Sequence, residues 1–239
     1  MRRVKRLLAA SLLLASCASS RVDPFANSLQ LVVVSTPSWN DVDGTLQRYE
    51  RTSAAEEWRK AGDAIPIVVG RNGMALADAG DGGDPHRNPA APPLKREGDG
   101  RSPAGIFPLT RAFGFDASAP DVKLPYLAIT PATECVDDSA SVHYNTIVDR
   151  TEAQPLDWHS SEKMRSIDQY RTGVVVDYNT PPVTGRGSCI FLHIWSGGGH
   201  GTAGCTAMAP DAMRELQRWL DPAKKPLLVQ YPQRELPRL

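Results

Sequence analysis

The chain has 239 residues, with 27 basic side chains against 27 acidic ones and a formal net charge of zero. That balance excludes the basic footprint of a nucleic-acid-binding protein and gives no pull toward an acidic membrane surface. With 20 prolines and 19 glycines, many turns and few long helices are expected.

At the N-terminus, Arg2, Arg3 and Lys5 precede an apolar run from Leu7 to Ala15. This is the pattern of a secretory signal, too short for a membrane-spanning helix. The run ends Leu14-Ala15-Ser16-Cys17, which resembles the lipobox of bacterial lipoproteins, with Cys17 as the lipidated first residue of the mature chain. The alternative is cleavage near Ala18 and release of a soluble periplasmic protein. Ala18, rather than Asp, follows Cys17, so the expected destination is the outer membrane, facing the periplasm. Residues 1–17 are thus read as signal, 18–30 as linker, 31–232 as one domain and 233–239 as a tail.

Short strands are predicted at Leu31–Ser35, Gly44–Arg51 and Ile65–Val69, and Asn72-Gly73 then signals a type I′ hairpin turn. Ala79–Pro93, rich in Gly, Asp, Ala and Pro, reads as an exposed loop that carries a solvated His86. Further strands are expected at Ile106–Leu109, Tyr126–Thr130, Val174–Asn179, Ile190–Trp195 and Leu227–Gln230. Two helices are expected. One spans Ser161–Tyr170, with Ser160 or Ser161 as its cap. The other spans Pro210–Leu220, with proline in its first turn and a core stripe of Met213, Leu216, Trp219 and Leu220. Just after Cys135, the polar stretch containing Asp137, Asp138, His143, Tyr144 and Asn145 is either a substrate-recognition loop or a solvated one.

Besides Cys17 the chain has Cys135, Cys189 and Cys205. In an oxidising compartment two of three cysteines pair and the odd one is reactive or bridges chains. Chemistry concentrates in the segment from Ile190 to Met208, IFLHIWSGGGHGTAGCTAM. The two-residue period of a strand sets Phe191, His193 and Trp195 on one face. Cys205 follows Gly204, on a tight turn that frees amide N–H groups for an oxyanion. A thiol needs activation to be largely ionised near neutral pH, and a nearby imidazolium supplies it. Zinc binding by His193, His200 and Cys205 is the competing reading, but no recognised metal-ligand spacing is present. No metal or cofactor is expected.

A histidine ending a strand, a glycine-rich loop, then Thr202, Gly204 and Cys205 resembles the signature of the L,D-transpeptidases (YkuD-type domains). Arg101-Ser102-Pro103-Ala104-Gly105-Ile106-Phe107 is similar to the family's Thr-Pro-x-Gly-x-Phe strand. Glu97-Gly98-Asp99-Gly100, Val68–Gly73, Asp177-Tyr178-Asn179 and Gly187-Ser188 resemble segments of an exported branch. Ala203 stands where a second histidine is usual, and Thr206-Ala207 departs from the usual residues after the cysteine.

The resemblance implies a mainly β, sandwich-like fold with two short helices, and a peptidoglycan substrate. Cys205 would attack a stem-peptide carbonyl, His193 would carry the proton, and the amides of Gly204 and Cys205 would hold the oxyanion. In relatives a backbone carbonyl orients the histidine; here the peptide after His193 is the candidate. Thr202, Trp195 and His200 are expected to contact substrate, and Tyr178 either lines the pocket or packs in the core. With Cys205 as the nucleophile, Cys135 and Cys189 are left to form a disulfide. The implied activity is cross-linking through a Cys205 thioester. The alternatives are hydrolysis, as a carboxypeptidase or a wall-protein-releasing enzyme, and a non-enzymatic wall-binding lipoprotein.

Overall fold

The computed structural model describes residues 23–77 and 91–239. The apolar segment with Cys17, and most of the Gly/Asp-rich loop with His86, lie outside the described residues. Fourteen strands follow in chain order. They are β1 (Gln30–Thr36), β2 (Asp43–Glu50), β3 (Arg59–Lys60), β4 (Ile65–Val68), β5 (Met74–Leu76), β6 (Ser102–Gly114) and β7 (Tyr126–Ala128). After these come β8 (Thr133–Val136), β9 (Ile147–Asp149), β10 (Ser161–Lys163), β11 (Thr172–Val176), β12 (Phe191–Ile194), β13 (Thr206–Met208) and β14 (Leu227–Pro232). A single α-helix, α1 (Pro210–Trp219), lies between β13 and β14.

The main sheet runs β1-β14-β6-β11-β12-β13-β4-β2-β3, and β1 also pairs with β2. The sheet is therefore closed on itself, and its two faces bury separate sets of side chains. Val32 and Val34 of β1, Leu46, Ile67, Val174, Leu192 and Met208 face one core, completed by Met213, Leu216 and Leu220 from α1 and its end. Leu31 and Val33 face the other way, against Phe25 and Val229. Alternation along β1 thus buries both faces, which explains its continuous apolar run. Arg51 stacks over Trp58 and donates to the carbonyls of Ser28, Ala54 and Phe25, so residues 25–28 are tied to the domain.

On the outer face of β6, β11 and β12 lies a second cluster: Phe113, Phe191, Tyr170, Met164, Cys135, Cys189 and Cys205. A small sheet in the order β10-β8-β9 covers it. The helix expected at Ser161–Tyr170 is not formed. Ser161, Glu162 and Lys163 pair with Val136, Cys135 and Glu134 instead. Two 3₁₀ turns follow (Met164–Ser166 and Asp168–Arg171), separated by extended Ile167. Glu162, Lys163, Met164, Arg165 and Gln169 are good helix formers, so tertiary context overrides local preference: the segment's first three residues pair with β8, and Glu134 on that strand accepts from Ser161 Oγ and Trp158 Nε1.

The turn after β4 also differs from expectation. Gly73 N–H donates to Gly70 O at 2.7 Å, so the central pair is Arg71-Asn72 rather than Asn72-Gly73. Positive φ falls only on Gly73, at 82°, where a Cβ would lie 2.1 Å from the Trp39 carbonyl oxygen. A type I′ turn needs positive φ at both central residues, so the turn is of another kind.

Candidate active site

Cys205 sits at the entry to β13, and His193 lies next door on β12, where His193 pairs with Ala207 in a parallel register. The turn before Cys205 is fastened from two sides. Thr202 N–H donates to Val69 O, and Arg71 N–H donates to Thr202 O, zipping the loop onto the Val69–Arg71 segment. Gly201 permits this approach, since a Cβ there would lie 2.4 Å from Arg71 Cα. Ser102 Oγ donates to the Cys205 carbonyl at 2.9 Å and accepts from Gly70 N–H at 2.9 Å. Thr202 Oγ1 donates to the same carbonyl at 2.6 Å. The separate sequence segments at 68–73, 101–107 and 202–205 therefore converge on the backbone of one cysteine.

Cys205 is a free, buried thiol with 5% exposure. Its Sγ accepts from Phe191 N–H at 3.3 Å and donates to Cys189 O at 3.4 Å. Burial, with the Glu162 carboxylate nearby, holds the thiol well above its ordinary pKa. His193 is also buried, at 7% exposure, and burial lowers its pKa to about 4. Its Nδ1 lies 2.8 Å from the Ile194 carbonyl oxygen, so Nδ1 carries the proton and Nε2 is left as an acceptor. The resting pair is thus neutral thiol and neutral imidazole, not the ion pair that sequence reasoning pictured. Desolvation penalises both charges, and for the thiol nearby Lys95 opposes the rise without cancelling it.

Both residues line a cavity of about 190 Å³. Ala203, Gly204, Ile190, Ser188, Tyr170 and Glu162 share its wall, and Arg71, Lys95, Glu97 and Asp137 add charge. Lys95 is ion-paired with Asp99 at 2.7 Å. Glu97 accepts from Tyr144 and Ser188 at 2.5 and 2.8 Å. Cys135 and Cys189 are joined by a disulfide, which fixes the residue whose carbonyl meets Cys205 Sγ.

Other expected contacts fall elsewhere. Tyr178 is buried edge-on against Phe107 and donates to the Arg186 carbonyl. It lines a different cavity of about 290 Å³, behind the disulfide. Thr202 is committed to the backbone of the turn, and its Oγ1 accepts the Gly204 N–H at 3.1 Å. That amide is therefore not open to an oxyanion in this state. Trp195, past the end of β12, and exposed His200 are not among the residues lining the Cys205 cavity, so the set of His193, His200 and Cys205 is not assembled as a metal site. The polar stretch after Cys135 is largely internal scaffolding. Asn145 donates to the Tyr178 and Asn179 carbonyls and accepts from Cys189 N–H, while Asp138 accepts from the amides of Ala140 and His159. From that stretch, Asp137 reaches the cavity. Sequence reasoning missed Tyr170, Glu162, Lys95 and Arg71, because each reaches the thiol only through tertiary packing.

The family model of the L,D-transpeptidase catalytic domain (YkuD) matches residues 41–229. The chain belongs to that family. Its members are cysteine-dependent transpeptidases that act on peptidoglycan. No curated protein and no solved structure gives a match. Within the matched span of this transpeptidase domain, β13 and the turn before it carry Cys205, and β12 carries His193.

Proposed function

We propose that this chain is an exported L,D-transpeptidase that cross-links peptidoglycan through a thioester on Cys205. The observation that carries the reading is the shared cavity of a free buried thiol and a neutral histidine whose Nδ1 is held by Ile194. In the acylation step, the thiol proton passes to His193 Nε2 as Sγ bonds to the carbonyl carbon of the third stem residue. The C–N bond to the terminal D-amino acid breaks, and the leaving amine takes the proton from His193. The Cys205 amide is the candidate oxyanion donor. An amine of a second stem then loses a proton to His193, attacks the thioester and releases the thiol.

Substrate entry and ionisation are coupled in this scheme. The thiol proton passes to His193 during the attack itself, so no resting thiolate is needed. The disulfide supports export, because such bonds persist in oxidising compartments. We further propose that the N-terminal segment ends in a lipobox and that acylated Cys17 anchors the domain to the outer membrane. Labelling cells with a clickable palmitate analogue tests this, with Cys17→Ser expected to lose the label.

The test of the activity is incubation of the purified domain with tetrapeptide muropeptides and, separately, with a carbapenem. Cross-linked dimers and a covalent adduct on Cys205 are expected. Shortened monomers alone would move the assignment to a carboxypeptidase. Neither product nor adduct would leave a binding protein.

A further inference from the structure

Tyr170 and Glu162 form a polar pair that the acyl-transfer scheme does not use. The Tyr170 hydroxyl donates to Glu162 Oε2 at 2.6 Å; both residues line the cavity that Cys205 lines, and Tyr170 belongs to the same packed cluster as the thiol. Its ring packs edge-on against Phe113, Phe191 and His193, with centroids 5.8, 5.4 and 5.3 Å away. These contacts hold the hydroxyl against the carboxyl, on the wall of the cavity that Cys205 also lines. Glu162 is held by the β10–β8 pairing, opposite disulfide-bonded Cys135. Ala203 adds no polar side-chain atom to the cavity wall, where Tyr170 and Glu162 stand with Arg71, Lys95, Glu97, Asp137, Ser188 and His193.

A phenol has one proton to donate. If Glu162 is a carboxylate, it draws that proton away from Cys205 and adds a like charge near the developing thiolate. If Glu162 is protonated, its own O–H donates to the phenol oxygen, and the phenol O–H turns to sulfur. We propose that Tyr170, oriented by protonated Glu162, is the hydrogen-bond donor that holds the Cys205 sulfur as its negative charge develops. In this proposal Tyr170 acts on the reacting sulfur, and Glu162 acts through Tyr170 and is a positioning residue. The thiol proton still goes to His193 Nε2, and the phenol keeps its own proton throughout. The inference rests on the reading of Cys205 as nucleophile.

Burial lifts the Glu162 pKa to about 7, with Asp137 and Glu97 adding to the rise and the Tyr170 hydrogen bond opposing it. The other charged or titratable groups at the cavity are Arg71, Lys95, His193 and Cys205. Glu162 therefore changes protonation within the working range, and the donor chain weakens as pH rises past that point.

The test is the rate of Cys205 alkylation by iodoacetamide, followed by intact mass on the purified domain from pH 5.5 to 8.5. It needs no transpeptidase turnover. Tyr170→Phe is expected to alkylate roughly tenfold more slowly, the effect of about one unit in the thiol's pKa. Glu162→Gln keeps a neutral side chain at every pH. It should match the wild type at pH 5.5 and exceed it severalfold at pH 8. Wild-type rates in Tyr170→Phe, or a Glu162→Gln variant slowed equally at both pH values, would overturn the proposal. Thermal unfolding checks that each variant folds; should Tyr170→Phe not fold, the pH contrast in Glu162→Gln decides alone. Missing cross-links alongside the expected alkylation profile would count against transpeptidation and not against this donor chain.

Discussion

His193 Nδ1 and the carbonyl oxygen of Ile194 are 2.8 Å apart. The carbonyl of the next residue, one peptide beyond the one that follows His193, thus fixes the tautomer of the ring without an acidic partner. The histidine is left neutral and accepting, as a general base must be, and burial keeps it so down to about pH 4.

Removing the nucleophile should be decisive. Cys205→Ser is expected to lower acyl transfer by roughly 10³-fold or more and to abolish the carbapenem adduct. Circular dichroism should stay unchanged, because the serine can keep the contacts to Phe191 and Cys189. An adduct of undiminished yield in the variant would place the nucleophile elsewhere.

For His193, acid should cost stability, and the sign follows from its lowered pKa. The unfolded chain takes up the proton near the ordinary value of 6.5, whereas the folded chain resists it to about 4. The stability tied to neutral His193 is therefore complete above pH 6.5 and lost as pH falls through 4, by up to roughly 3 kcal/mol. Glu162 acts in the opposite sense, since its raised pKa costs stability as pH rises from 4.5 toward 7. Subtracting the urea-unfolding profile of His193→Gln from that of the wild type isolates the histidine contribution. A flat difference across pH 4–7 would contradict the assignment.

Thr202 is expected to act on the turn rather than on substrate. Thr202→Val removes two hydrogen bonds, to the Cys205 carbonyl and from Gly204 N–H, at a stability cost of about 1 kcal/mol each. Misplacing the thiol should slow acylation by roughly ten- to a hundredfold, with Thr202→Ser close to wild type. Single-turnover carbapenem acylation reads this out, and equal rates for Val and Thr would refute it.

Much of the catalytic segment was legible because its residues are close in sequence. The glycine loop, Gly204-Cys205 and the strand that carries His193 sit in one stretch of nineteen residues, and reading Cys205 as the nucleophile left Cys135 and Cys189 as the pair that the structure joins. The apolar stripe of Pro210–Leu220 likewise carried its helix. Tyr170 and Glu162 were hidden because they fall in a segment whose weak helical pattern masked a strand and two 3₁₀ turns. Their role depends on β10 meeting β8, a pairing that no local period encodes. For Tyr178 the sequence left pocket and core open, and packing decides: its buried ring lies edge-on against Phe107 and beside the second cavity.

The disulfide links the small sheet to the strand that leads into His193, closing a chain separation of 54 residues. Cys135→Ser with Cys189→Ser should destabilise the domain by roughly 4 kcal/mol in the chain-entropy picture. Carbapenem acylation should fall as well, because Cys189 supplies the carbonyl that meets the thiol. An unchanged denaturation midpoint in the double variant would argue against both effects.

Closure of the main sheet through β1–β2 has a consequence for the molecule among its neighbours. A ring of strands satisfies its own backbone donors and acceptors, so another chain finds few open rows to extend by pairing. The open margins among the described strands are the two-residue β3, bearing Arg59 and Lys60, and the three-residue β5, β7, β9 and β10. Short and partly charged margins make poor templates for growth. Growth by strand addition at these margins is thereby disfavoured, which leaves side chains and loops as the surface for contacts.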